Sequence, residues 1–254
     1  LKKIMKTNTR TLALLLALEA ILVTVPFFIL QSVFEFPDIL RQPADYALKL
    51  FVQGESVIVP TYYVFLFSAL TAIPLSVALV RFFASNEAAS KGNSALLSLG
   101  MATAIFQALG FSRWVFTIPM IAHAYFTPNT SEASKQALAL MYDTLNRYLG
   151  MTVGEHLGFI AMGAWTMALA WQFSKVRLAS KRVASIVQGT GYAAGVLTIL
   201  SAGEHFGGNT APLFAVLNIL ANTIWIFWLL GLAVLFYRSE RNAALPPLQP
   251  SLAE

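Results

Sequence analysis

The sequence predicts an all-α polytopic transmembrane helix bundle of six spans, with short amphipathic helices in the outside loops. Three observations predict it. The 254 residues are 57% hydrophobic and only 11% charged, with a mean hydropathy of +0.66, whereas a soluble domain carries about a quarter charged residues. The apolar residues come in long blocks rather than in the short alternations of an outer-membrane barrel. The basic residues gather between alternate blocks, which marks one side of a membrane.

A helix rises about 1.5 Å per residue and needs about 20 residues to cross the hydrocarbon. The first block, Leu12 to Leu30, follows the basic stretch "LKKIMKTNTR". It is longer than the apolar part of a secretory signal and lacks a small-residue cleavage site, so it reads as a retained helix. Five further blocks follow: Val57 to Phe83, Ser94 to Ala122, Gly150 to Phe173, Val183 to Ala202 and Ala211 to Tyr237. Pro60, Pro74 and Pro119 fall inside these blocks, where proline kinks a helix or frees carbonyls for a site. Residues 1–237 thus form a single six-helix transmembrane domain. Residues 238–254, with the Pro-rich "NAALPPLQPSLAE", read as a disordered cytoplasmic tail.

Placing both termini in the cytoplasm puts Lys2, Lys3, Lys6, Arg10, Arg81, Lys91, Lys175, Arg177, Lys181, Arg182, Arg238 and Arg241 inside. Only Arg41, Lys49, Lys135 and Arg147 are then left for the outside loops. This positive-inside bias sets the orientation. Dispersed at the ends of apolar blocks, the basic residues serve topology rather than nucleic-acid binding. The chain has no cysteine, which removes disulfides, thiolate metal sites and cysteine nucleophiles.

Two outside loops carry helical patterns. In "RQPADYALKLFVQGES", Pro43 and Asp45 suit a helix start, and Leu48, Phe51 and Val52 form a short apolar stripe. In "TPNTSEASKQALALMYDTLNRYLG", Ser131 can cap a helix on which Leu138, Met141, Tyr142, Leu145 and Leu149 recur at helical spacing. Both read as helices over the mouth of the bundle.

"GEHLG" at 154–158 and "GEHFG" at 203–207 repeat the same letters in a chain with three histidines. His156 lies about 28 Å along its helix from Lys175, at the outer edge of the hydrocarbon. His205, His123 and Arg113 reach a similar depth. Arg113, His123, Glu155, His156, Glu204 and His205 therefore fall in one slab near the outer surface. Equivalent positions on consecutive antiparallel spans lie on the same side, so the echo fits neither an inverted nor a parallel repeat.

Gly150, Gly154 and Gly158 recur every four residues, as do Gly191 with Gly195 and Gly203 with Gly207. Such stripes let helix backbones approach closely in lipid. At 100° per residue His156 projects almost opposite the glycine face, towards another neighbour. The histidines could ligate haem iron, a chlorin magnesium or, with carboxylates, a metal ion. Snorkelling, helix-end capping or pairing with Arg113 is the structural alternative.

Glu19 sits about 13 Å from Arg10, near the middle of the first span. A carboxyl group there must be protonated, hydrogen-bonded, paired or beside water. Gln107 and Asn222 lie at compatible depths as its partners. Trp165, Trp171, Trp225 and Trp228 read as lipid-facing or packing residues. No phosphate loop, Ser-centred nucleophile elbow or paired-Asp hydrolase motif is present in the sequence.

In combination, "FEFPDILRQP", "GFSRWVFTIPMIAHAYF", "LNRYLGMTVGEHLG" and "LNILANTIWIFWLLG" resemble a bacterial six-helix membrane protein family catalogued as domain of unknown function 4386. The resemblance covers most of the chain. It implies the bacterial cytoplasmic (inner) membrane and draws attention to Arg113, Trp114, Asn146, Tyr148, Glu155 and His156. It carries over no catalytic residue.

The leading expectation is a non-catalytic accessory or scaffolding subunit, with membrane lipid and other membrane-protein subunits as partners and no nucleic acid. The alternative is a haem-, metal- or chlorin-binding protein using His156 or His205, with His123, near the outer surface. The third is a proton-coupled transporter using Glu19. An enzyme acting on a membrane substrate ranks last.

Overall fold

A computed structural model describes residues 9–176, 178–206 and 211–244, with the side chains of residues 205, 206, 211 and 240–244 excepted. The described residues are helical almost throughout and contain no strand. The order is α1 (Thr9–Phe34), a 3-10 turn (Asp38–Arg41), α2 (Ala44–Phe83), the one-turn α3 (Glu87–Ser90), α4 (Asn93–Phe116) and α5 (Ile118–Tyr125). Then follow α6 (Glu132–Leu145), a π-helical segment (Asn146–Leu157), α7 (Gly158–Phe173), α8 (Lys181–Ser201), a second 3-10 turn (Ala202–Phe206) and α9 (Ala211–Ala244).

Among the described residues, five helical stretches are long and apolar enough to cross a membrane: Thr9–Phe34, Ala44–Phe83, Asn93–Tyr125, Lys181–Glu204 and Pro212–Ser239. The expected fourth span, Gly150 to Phe173, is divided at Gly158 into the π-helical segment and the 16-residue α7. Together these two pieces run antiparallel beside α4. At one end Gln172 Nε2 donates to Asn93 Oδ1 at 2.8 Å; at the other, Arg113 Nη2 donates to Asn146 Oδ1 at 3.1 Å.

The two helices expected in the outside loops differ from each other. The helix expected at Pro43 is not separate, because Ala44 begins a continuous 40-residue α2. Nothing between Phe51 and Val57 breaks it, and at about 1.5 Å per residue its first turns extend beyond any bilayer thickness. The second begins as its cap implies, with Ser131 Oγ accepting from Ser134 N at 3.2 Å, and it buries Tyr142 while Met141 stays exposed. The third block breaks at Thr117, just before Pro119, which has no N–H for the helical ladder.

The helices form a ring in the order α1, α2, α4, α7, α8, α9, which closes back on α1. Two cores hold it together. At the end bearing Arg81, Leu12, Leu16, Leu79, Phe83, Phe173, Trp228, Leu232 and Phe236 share one cluster. At the end bearing Arg41, Phe34, Phe51, Tyr62 and Tyr142 surround a fully buried Trp114. Tyr62 stacks on Trp114 at 5.3 Å and Phe34 meets it edge-on at 4.9 Å, arrangements that add to apolar burial.

Three tryptophans expected to be lipid-facing or packing residues are buried and bonded. Trp165 donates to Ser76, Trp225 to Thr166 and Trp228 to the Val187 carbonyl, at 3.0, 3.0 and 2.8 Å. They join spans by polar contacts, as buried indole N–H groups require.

Glycine determines how closely the helices approach. A Cβ on either Gly110 or Gly154 would lie 2.8 Å from the other's Cα. One on Gly163 would lie 2.5 Å from the Gly195 carbonyl. The α4–π-segment and α7–α8 contacts are thus backbone against backbone.

Candidate functional site

The 3-10 turn Asp38–Arg41 is pinned by the fully buried Ile39 and nearly buried Leu40. That anchoring aims Arg41 at both GEH segments. Arg41 Nη2 forms an ion pair with Glu204 and lies 3.8 Å from Glu155. The same guanidinium donates through Nη1 to the Pro37 carbonyl at 3.3 Å. His156 Nδ1 is 2.9 Å from the Ala202 carbonyl, which ties the π-helical segment to the second 3-10 turn. The two GEH segments therefore meet, and among the described side chains they meet through glutamates.

Arg113 lies one layer further in. It is 4% exposed. Nη1 donates to the Gly110 carbonyl, Nη2 to Asn146, and the guanidinium carbon lies 5.3 Å from the Trp114 ring centre. Asn146 in turn donates to the Leu40 carbonyl at 2.7 Å, linking the Arg113 shell to the Arg41 turn. Space for the guanidinium comes from Gly150, whose added Cβ would sit 2.5 Å from the Arg113 Cζ. Gly154 meets Gly110, and a Cβ at Gly158 would be 3.2 Å from Gln107 Cγ. All three glycines thus face α4, while His156 turns towards Ala202.

Inside the ring is a cavity of about 980 Å³. Arg41, Glu155, Glu204 and Arg113 line one end of it, Tyr62, Phe65, Phe111 and Trp114 its flank, and Glu19, Gln107, Met162, Trp165 and Asn222 its deeper part. A recessed, largely apolar space with a few polar groups at defined positions is the usual form of a small-molecule site.

Glu19 does not take the partners its depth suggested. It accepts from Thr71 Oγ1 on the adjacent α2. Gln107 Nε2 lies 3.4 Å from Met162 Sδ, and Asn222 Nδ2 donates to Asn218. Depth counted along separate spans says nothing about rotation about each helix axis, and rotation decides which neighbour is met. Glu19, Gln107 and Asn222 nevertheless share the cavity wall.

The remaining expected ligands part company. His123 Nε2 is 2.6 Å from Glu55 Oε2 on α2, a pairing separate from that of His156 with Ala202. The His205 side chain and Gly207 lie outside the described residues. Of the other glycine pair, a Cβ on Gly191 would lie 2.7 Å from both Ala170 and Trp228, and one on Gly195 would lie 2.5 Å from Met167. Gly203 faces Phe214. Among the described residues no three His, Asp or Glu side chains group closely enough to hold a metal ion.

Sequence reasoning missed Arg41 and Tyr62 as site residues. Arg41 counted only as an outside-loop charge, and Tyr62 only as part of the second apolar block. The signal that could have found Arg41 is its place in "FEFPDILRQP", where Pro37, Ile39 and Leu40 form a turn anchored by its apolar residues.

Comparison with known proteins finds a family match. The family described as Domain of unknown function (DUF4386) matches residues 11–233. No curated protein and no solved structure matches the chain.

Proposed function

The chain belongs to the family described as Domain of unknown function (DUF4386), and from that premise and the site geometry we propose that it is a membrane receptor or carrier for a small amphipathic molecule held inside the helix ring. Its apolar, helical make-up is that of a membrane-embedded protein. The observation that carries the proposal is the cavity of about 980 Å³, with charged groups at one end and aromatic and apolar walls beyond. That polarity fits a molecule with a polar head and an apolar body.

The same proposal places the protein in the bacterial cytoplasmic membrane with six crossings and both termini inside. Two features support the sixth crossing: the antiparallel path of residues 146–173 beside α4, and the distribution of Lys and Arg. The Arg41 end of the cavity is then the outer end.

α1 and α9 supply a route from the lipid. They share a core where Leu12 and Leu16 meet the cluster of Trp225, Leu229 and Leu232. Towards the Arg41 end both helices instead contribute cavity wall, and Phe28 and Ile219 on that wall are exposed.

The glycine faces favour an accessory or scaffolding role less, because Gly150, Gly154, Gly158, Gly191 and Gly195 are occupied within the chain. Co-purification of companion proteins in mild detergent tests it. Glu19 in the cavity wall supports a second reading, in which the carrier is proton-coupled. The haem, metal or chlorin reading keeps His156, whose Nδ1 contact with a carbonyl is one that ligand histidines commonly make; an absorption spectrum and metal analysis test it.

The direct experiment is mass spectrometry of the protein extracted and washed in mild detergent, beside an Ala215→Trp variant that fills the cavity wall. A near-stoichiometric amphiphile released only on unfolding, and reduced in the variant, is expected. Equal retention by both proteins, or none by either, overturns the reading.

A further inference from the structure

Three adjoining residues of the cavity wall hold hydrogen-bond donors without an acceptor among the described residues: Tyr62 Oη, Arg113 Nε and Trp114 Nε1. Each of these atoms is sealed from water, and the three residues are 1%, 4% and 0% exposed. Tyr62 and Trp114 stack at 5.3 Å, and the Arg113 guanidinium lies over the same indole, so the donors form one neighbourhood. A buried donor left unmatched costs free energy unless something supplies an acceptor.

Arg113 is short of partners in a second way. A guanidinium carries five N–H donors, and the structure gives Arg113 two hydrogen bonds, both to neutral oxygens. Among the described residues no carboxylate lies within ion-pair distance of it; Glu155 and Glu204 both turn to Arg41 instead. A fork of free donors on a buried cation matches an oxyanion that can accept two parallel bonds. Gly150 holds the space this guanidinium needs, so the site is built into the backbone.

We propose that the ligand of this cavity carries an oxyanion, a phosphate or carboxylate, that is received by Arg113, the most exposed of the three residues, through a side-chain shift that opens its sealed Nε and the neighbouring Tyr62 hydroxyl to the cavity. This inference rests on the reading of the cavity as an amphiphile site. The apolar part of the ligand then lies along Phe65 and Phe111 towards the Glu19 level, since these line the same space. The oxyanion belongs to a lipid-like chain when entry is between α1 and α9, and to a free ion when entry is past Arg41.

The test uses protein delipidated and reconstituted in neutral phosphatidylcholine nanodiscs. Dodecyl phosphate, dodecanoate, the neutral dodecyl glucoside and inorganic phosphate alone are titrated against tryptophan fluorescence and thermal unfolding. Dodecyl phosphate and dodecanoate are expected to bind at least about tenfold more tightly than the glucoside, since bonds to charged groups are the strong ones. Tyr62→Phe should raise the unfolding temperature of the empty protein rather than lower it, because the hydroxyl has no partner there to lose and its burial cost is removed, and should weaken dodecyl phosphate binding about fivefold. Arg113→Lys, which keeps the charge and loses the fork, should weaken it about tenfold.

Inorganic phosphate binding as tightly as dodecyl phosphate, with the same loss in Arg113→Lys, supports the oxyanion site and overturns the lipid source. Equal binding of all three chains, or unchanged dodecyl phosphate affinity in both variants, overturns the oxyanion inference. In that case loss of the glucoside in Ala215→Trp leaves the amphiphile reading standing. Failure of every chain to bind removes both.

Discussion

Gly150 and Arg113 occupy one another's space: the guanidinium of Arg113 fills the position that a side chain at Gly150 would take. The missing Cβ on one helix is thus what allows a buried cation on another, and the charged end of the cavity follows from that fit.

Gly150→Ala should force the guanidinium from its bonds with Gly110 and Asn146 and destabilise the protein by about 2–3 kcal/mol, the usual range for overpacking with a polar group displaced. Gly189→Ala is the control, because a Cβ there meets nothing within 4 Å; it should be neutral or stabilise by about 0.5–1 kcal/mol. Thermal or denaturant unfolding of the two variants decides it, and equal effects would remove the proposed fit.

Arg41 joins both GEH segments, so its loss should be felt at Glu204, whose side chain is only 6% exposed. Breaking a fully buried pair costs about 3–5 kcal/mol; with Arg41 itself 31% exposed, Arg41→Ala should cost about 2 kcal/mol. Glu204→Gln in the Arg41→Ala background should recover part of that, because it removes the stranded charge. A double-mutant cycle with no coupling between the two positions would contradict the clamp.

At Glu19 the Thr71 hydroxyl lies between the carboxyl group and the Ser68 carbonyl, the latter at 2.6 Å. One hydroxyl proton serves one of the two acceptors. Glu19→Gln retains a group that can donate to or accept from Thr71, and should change stability by less than about 1 kcal/mol; Thr71→Val removes the partner and should cost about 1–2 kcal/mol. Substrate uptake that keeps its proton coupling in Glu19→Gln would dispose of a proton-carrying role.

The absence of cysteine makes crossing number directly measurable. Ser134, in α6, and Ser85 and Ser180, between helices, are exposed, and each lies on a different connection between the expected spans. Introduced one at a time, Ser134→Cys should react with a membrane-impermeant maleimide added to intact cells, while Ser85→Cys and Ser180→Cys should react only after permeabilisation. Ser134→Cys and Ser180→Cys labelling from the same side would mean that residues 146–173 do not cross.

Much of the bundle was legible from composition and period. The apolar blocks beginning near Leu12, Ser94 and Val183 became helices with starts close to those expected, at Thr9, Asn93 and Lys181, because apolar length and helix signals act locally. The start of α2 was not, since Ala44 to Phe83 contains a loop-like polar stretch whose helical continuation depends on packing of Ala47, Leu48 and Phe51. Nor was the π-helical segment, whose wider coil keeps Asn146, Gly150 and Gly154 buried against α4.

Within the site, sequence placed Arg113, Glu155 and Glu204 at one depth, because rise per residue is a property of a single helix. It could not pair them. That Arg41 takes both glutamates, that Arg113 is left with spare donors, and that Glu19 meets Thr71 rather than Gln107 or Asn222 all depend on how each helix is rotated and which helices are neighbours. The sequence by itself determined membrane-embedded helices, their approximate lengths and the scarcity of charge along them. Only the tertiary structure decided the ring and the cavity inside it, because glycine-to-glycine approach and side-chain direction are relations between helices and are written in none of them alone.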